Sequence, residues 1–236
     1  MPIFEPVCTR EGPARTIGAL TIGQSPRADD LMAEVAATLG PGFRLVERGA
    51  LDGLSRPEVD ALAPPPGQYA LITLLRDGTA VRLDKPRLIP LLEARVAELE
   101  AEGVDAVVVL CTGPFPPLRA GIPVVRPQEA LYHLAKGLAA PGRVGLLVPL
   151  AEQVAQAQAQ CAAIGMDAVV AVSSPYGADQ LADAVRAFAR ADVALCLMDC
   201  FGYSAAMKRA VQGALHRPAV LARTAVARVV AELASP

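Results

Sequence analysis

Residues 193–204 read VALCLMDCFGYS, and residues 105–116 read DAVVVLCTGPFP. Each stretch is an apolar run that ends on a cysteine, with a glycine two positions further on: Cys111-Thr112-Gly113 and Cys200-Phe201-Gly202. Neither run alternates polar with apolar residues. Such Val-, Ile- and Leu-rich runs mark strands covered on both faces, which belong to parallel sheets. Working outward, TIGALTIG (16–23), FRLVERGAL (43–51), YALITLL (69–75), AVRLDKP (80–86), GRVGLLVP (142–149) and MDAVVAV (166–172) read as further strands. Between them lie amphipathic stretches with helix punctuation. QSPRADDLMAEVAATLG (24–40) offers Ser25 as N-cap, Pro26 in the first turn and Gly40 as a stop; PRLIPLLEARVAELEAEG closes at Gly103. Strands alternating with helices predict an α/β fold with a doubly wound parallel sheet.

The order repeats. TIGALTIGQSPR and RVGLLVPLAEQ are both strands with a polar turn opening a helix. Both cysteine-ending strands are later followed by a short strand running into a helix, GIPVVRPQEALYHLA and HRPAVLARTAVARVV. The repeat predicts two similar Rossmann-like parallel-sheet domains related by pseudo-twofold symmetry, facing one another across a cleft. With the last helix crossing back, the expected division is 16–113 plus 205–236 for the first half and 114–204 for the second, after a poorly ordered leader over 1–15. Ligands of open α/β sheets bind beyond the carboxyl ends of strands, where both cysteines fall.

Composition excludes several classes of function. The chain has 236 residues, 53% of them hydrophobic and 19% charged, with a net charge of −2. It carries no basic footprint for nucleic acid and no polybasic membrane patch. Mean hydropathy is +0.37, yet the longest apolar runs are about seven residues against the roughly 20 needed to span a bilayer. MPIFEPVCTREGPAR holds charges and prolines where a signal peptide needs an apolar segment, so the expected compartment is the cytoplasm, with the five cysteines as free thiols. A homodimer is left open. The sequence has no HExxH, paired CxxC, histidine cluster, Walker motif, GxGxxG or GxSxG. His133 and His216 are expected to be structural, and none of Lys85, Lys136 and Lys208 stands at a strand end. Neither a metal nor an organic cofactor is expected.

What remains is thiol chemistry. A cysteine at a strand end, beside backbone amides that open a helix, is expected to have its pKa lowered toward neutrality. A thiolate on one side of a Cα–H and a thiol on the other remove a proton and return one to the opposite face, which is racemisation without a cofactor. The α-carbanion then needs donors on a substrate carboxylate. Gln24, Ser25 and Arg27 after the first strand, Arg76 after the third, Thr112 and Gly113, and the SSPYG loop with Ser174 and Tyr176 are the candidates, together with Gly202 and Tyr203. Each has a plainer reading beside it. Ser25 serves equally as a cap, Arg27 and Arg76 as surface charges, and Tyr176 and Tyr203 as packing. Asp199 orients Cys200 or caps the next turn. Cys161 and Cys196 read as core, and Cys8 as an exposed leader residue.

LTIGQSPR, LITLLRDGT, VVVLCTG, VGLLVP with EQ, and MDCFGYS together resemble the AroM family, from about Thr16 to the C-terminus. That family is similar in turn to the aspartate/glutamate (and hydantoin) racemase superfamily. The resemblance implies two like α/β domains, each with one active cysteine, so that Cys111 and Cys200 would face each other across a small carboxylate. The superfamily also includes decarboxylases and a cis–trans isomerase, some using a single cysteine, so a one-cysteine enzyme is the alternative. A cleft that binds a small carboxylate without turnover is the third. Pro114 stands where similar sequences are expected to carry an acidic residue.

Overall fold

The computed structural model describes residues 14–177 and 180–234. Cys8 and the leader through residue 13 lie outside them. The chain runs β1 (Arg15–Thr21), α1 (Leu31–Leu39), β2 (Phe43–Gly49), α2 (Arg56–Asp60), β3 (Leu71–Leu74), β4 (Ala80–Leu83), α3 (Lys85–Ala101), β5 (Ala106–Val109) and β6 (Val124–Val125). It continues with α4 (Pro127–Ala139), β7 (Val144–Val148), α5 (Val154–Ala163), β8 (Ala168–Val172), α6 (Leu181–Arg190), β9 (Leu195–Met198), α7 (Ala205–Leu215), β10 (Ala219–Leu221) and α8 (Ala222–Ala234).

Two four-stranded sheets result, ordered β2-β1-β5-β6 and β10-β9-β7-β8, with every pairing parallel. The orders are the same once β1 is matched with β7, β2 with β8, β5 with β9 and β6 with β10. The sequence repeat is therefore a structural one. Strand pairing moves both expected boundaries, because β6 belongs to the first sheet while α7 and β10 belong to the second. The sequence reading placed 205–236 as a block with the first half, whereas α8 alone crosses back to pack on α1. Helix α4, after β6, makes the reciprocal crossing and packs on β7 and β9.

Two strands expected to extend the parallel array do not. β3 and β4 form an antiparallel hairpin outside both sheets. The turn between them is tight: the Leu75 N–H donates to Thr79 O at 2.8 Å, Asp77 Oδ1 accepts from the Thr79 N–H at 2.8 Å, and Gly78 takes φ +83°. A connection this short permits only antiparallel pairing.

Strand alternation sorts the cores. In β5 and just past it, Ala106, Val108 and Leu110 enter a core shared by both halves, while Val107, Val109 and Cys111 face the layer under α3. In β9, Leu195 and Leu197 enter the same shared core, while Cys196, Met198 and Cys200 face the outer layer of the second half. The two cysteines thus sit at equivalent phases of equivalent strands, each just past the last paired residue.

Candidate active site

Cys111, Thr112 and Gly113 from the end of β5 and Asp199 and Cys200 from the end of β9 line one narrow cleft, with a cavity volume of about 30 Å³. Leu71 and Ile72 of the hairpin, with Tyr69 just before it, close one side, Tyr132 of α4 another, and Gln153, Gln156 and Gln160 a third. The halves are stitched together here. The Thr112 hydroxyl donates to the Asp199 carbonyl at 3.0 Å, and Gln153 Nε2 donates to Ala70 O at 2.7 Å.

The sulfurs share a local motif. The Gly113 N–H donates to Cys111 Sγ at 3.3 Å, and the Gly202 N–H donates to Cys200 Sγ at 3.3 Å. At Gly202 the glycine is required by space, since a Cβ there would stand 2.4 Å from the Tyr176 hydroxyl. The expected lowering of the thiol pKa is not what the structure shows. Burial pushes Cys111 well above the ordinary thiol range and Cys200 up to about 11, although the glycine amides pull both down. The physical reason is that the thiols are 9% and 8% exposed and lie beside the Asp199 carboxylate. Helix α7 starts only at Ala205, and in its first turn the Met207 N–H is taken by Ser204 Oγ. A negative charge on Cys200 pushes Cys111 further up, while the Arg27 guanidinium pulls both thiols down.

The other sequence candidates lie apart from the cleft lining. Arg27 has a buried side chain that pairs with Asp29 through both carboxylate oxygens, and it donates to Thr21 Oγ1 and Thr73 Oγ1 at 3.3 and 3.4 Å and to the Tyr176 hydroxyl at 3.2 Å. Burial opposes its charge, yet Asp29 holds its pKa above the ordinary arginine value. It is a fixed cation that reaches both thiols by field. Ser25 does not cap α1, which begins only at Leu31; its N–H donates to Asp52 Oδ1 at 2.7 Å and its hydroxyl also goes to Asp52. Asp52 has outcompeted the helix for that serine. Gln24 Oε1 accepts from the Arg76 N–H at 3.1 Å, and the exposed Arg76 side chain donates to Ser25 O at 2.7 Å. Ser174 Oγ accepts from the Tyr176 N–H at 3.2 Å. Tyr203 is fully buried and donates to Ser173 O at 2.6 Å, a packing role.

The sequence reading gave no role to Tyr69, Tyr132 or the three glutamines. A signal existed for the last: Gln153, Gln156 and Gln160 recur at helical spacing in EQVAQAQAQ and form one polar stripe, which periodicity assigns to a face rather than to a cleft. Asp199 neither orients Cys200 by a hydrogen bond nor caps a helix. Its Oδ2 accepts from the Tyr132 hydroxyl at 2.8 Å, and its Oδ1 has no partner. Burial pushes the carboxyl up to about 6 against the pull of the Tyr132 hydroxyl and of the nearby Thr112 hydroxyl, which bonds to the Asp199 carbonyl.

Two like α/β halves that bring a strand-end thiol each to a shared cleft define a two-domain, paired-cysteine class of fold. Within it, the chain belongs to the AroM protein family, whose model matches residues 17–234. No functionally curated protein matches the sequence. Among solved structures the fold is similar to Picrophilus torridus aspartate racemase, at 10% identity and TM-score 0.57, covering 93% of this chain and 94% of that one. It is similar to arylmalonate decarboxylase at 17% identity and TM-score 0.58, covering 94% and 92%. It is similar also to allantoin racemase from Pseudomonas fluorescens at 14% identity and TM-score 0.57, covering 92% and 91%. Among the described residues no helix is long and apolar enough to cross a membrane.

Proposed function

We propose that this protein is a cofactor-independent racemase or epimerase of a small α-substituted, amino-acid-like carboxylate, with Cys111 and Cys200 as its two acid/base groups. The observation that carries the reading is the pair of thiols on one cleft, each held by the amide of the glycine two residues on. Two-base proton transfer needs one thiolate and one thiol at a time. Like-charge coupling supplies that state, since ionising one sulfur raises the pKa of the other. Cys200 is raised less and is favoured to ionise first, with Arg27 as the cation that favours it. The thiolate takes the α-proton, the electron pair moves into the substrate's carboxyl group as an enolate, and the opposite S–H returns a proton to the other face. The sulfur that accepted the proton ends as the thiol, so atoms and charge balance. The fold similarity to an aspartate racemase and an allantoin racemase supports the same reading.

The test is α-proton exchange in D₂O, followed by NMR on pools of amino acids, hydroxy acids and short peptides. Wild type is compared with Cys111→Ser and Cys200→Ser. Exchange with inversion is expected, and each substitution should reduce racemisation by about 10²-fold or more, the usual contribution of a positioned acid or base. Exchange that neither substitution alters would sink the two-thiol mechanism. Loss with one substitution only would move the reading to a one-cysteine decarboxylase or isomerase.

A further inference from the structure

Resting on the two-thiol reading of the cleft, we infer that Asp199 sets its substrate class. The unpaired Oδ1 accepts from an N–H on the substrate's reacting carbon, so that the site takes α-amino or α-amido compounds over their α-hydroxy counterparts. Three observations carry this. First, Asp199 is 6% exposed and lines the cleft together with both cysteines; Tyr132 donates to its Oδ2, the nearby Thr112 hydroxyl pulls on the carboxyl but gives its hydrogen to the Asp199 carbonyl, and Oδ1 is buried without a hydrogen-bond partner. A buried carboxylate oxygen without a donor is costly, and one carried by a residue of the cleft wall calls for a donor from the cleft. Second, the structural repeat matches Asp199 with Leu110, since each immediately precedes its cysteine and each donates its N–H to the equivalent neighbouring strand, Leu110 to Leu20 O at 2.8 Å and Asp199 to Leu147 O at 2.9 Å. Where one half buries leucine, the other buries a carboxylate at equivalent depth. Packing alone does not require that change. Third, no Lys, Arg or His side chain lines this cleft among the described residues; the polar wall is tyrosine, threonine and glutamine. Arg27, the cation acting on the thiols, is committed to Asp29, Thr21, Thr73 and Tyr176. The positive end of a hydrogen bond to Asp199 is therefore left to the ligand, and an ammonium or amide N–H beside the reacting carbon supplies it.

The variant Asp199→Asn inverts the polarity of this one position. Its side-chain oxygen can keep the Tyr132 bond while its N–H₂ replaces the free acceptor. The experiment reads binding rather than turnover, by thermal shift on wild type, Cys111→Ser and Asp199→Asn. The probes are matched pairs at millimolar concentration: alanine with lactate, aspartate with malate, glutamate with 2-hydroxyglutarate, and phenylalanine with phenyllactate, in both configurations. In wild type and Cys111→Ser at least one amine is expected to raise Tm more than its hydroxy twin. Asp199→Asn should weaken that amine about tenfold or more, the scale of a charge-assisted hydrogen bond. A hydroxy acid that stabilises as well as its amine twin overturns the inference. So does an Asp199→Asn protein that keeps the amine preference, or a wild type that no amine stabilises. If Asp199→Asn does not fold, ¹³C-carboxyl titration of wild type decides: a bound amine must lower the apparent pKa of Asp199, and an unchanged value overturns the proposal. A hydroxy acid that exchanges its α-proton in the earlier test would remove this inference and leave the two-thiol mechanism standing.

Discussion

A single carboxyl makes the stability of this protein depend on pH in a direction opposite to that of most paired acids. Burial raises Asp199 from 3.8 to about 6. The folded state therefore holds a proton over the window between those values, where the unfolded chain has lost it. Stability from this group is complete below about pH 4 and falls as pH rises through about 6, because the native state binds more protons across the window. Two pKa units correspond to roughly 3 kcal/mol. Asp199→Asn removes the titration, so the stability difference between variant and wild type is expected to shift in favour of the variant by a few kcal/mol from about pH 4 to about pH 7.5. Urea denaturation at the two pH values measures it. A difference that stays constant would show that Asp199 is not buried with an unpaired oxygen.

Helix α4 is the element that makes this arrangement possible. Its buried face runs through Gln128, Leu131, Tyr132, Ala135 and Ala139, a helical period that packs on β7 and β9 and brings the Tyr132 hydroxyl to Asp199. Tyr132→Phe keeps the ring in the shared core and deletes one donor. Both carboxylate oxygens are then unpaired, at a cost of about 1.5–3 kcal/mol while the carboxyl is ionised. The loss is expected at about pH 7 and should shrink below about pH 4, where the carboxyl is protonated, so paired denaturation curves separate it from a packing defect. Periodicity in the sequence was enough to find this helix and nearly every other element, because parallel strands and amphipathic helices carry unambiguous apolar patterns. Both thiols were legible for a related reason: strand-end position is a local property. What surrounds them was not. Ser25 carried a valid capping signal, yet Asp52 claimed its hydroxyl from a distant turn. Arg27 carried a valid anion-binding signal, yet Asp29 and Tyr176 occupy it. The thiol pKa expectation failed because burial acts at the level of the whole core and overrides a local amide.

For the whole molecule, the reciprocal crossing of α4 and α8 decides how it unfolds. Each half ends in a helix packed on the other half, and residues of β1, β5, β7, β9, α4 and α8 meet in one apolar cluster. Arg223 in α8 fastens the exchange. It is 1% exposed, donates to Phe201 O at 3.0 Å and Gly202 O at 3.2 Å beside Cys200, and pairs with Asp30 at 2.7 Å and Glu34 at 3.2 Å near the start of α1. Two independent domains would unfold in two steps, whereas halves that share a core lose it together. A single urea transition is therefore expected, with far-UV circular dichroism and the exposure of Cys111 and of Cys200 to a thiol reagent all following the same curve. Arg223→Met retains much of the buried stem while stranding two carbonyls and removing the cation from Glu34, which keeps the Ala205 N–H, and from the half-exposed Asp30, for an expected cost of about 2–3 kcal/mol. The variant should move the single midpoint to lower urea and keep the probes coincident. Thiols of the two halves that became reactive at different urea concentrations would mean that the halves fold separately, and that the cleft between them opens without unfolding either one.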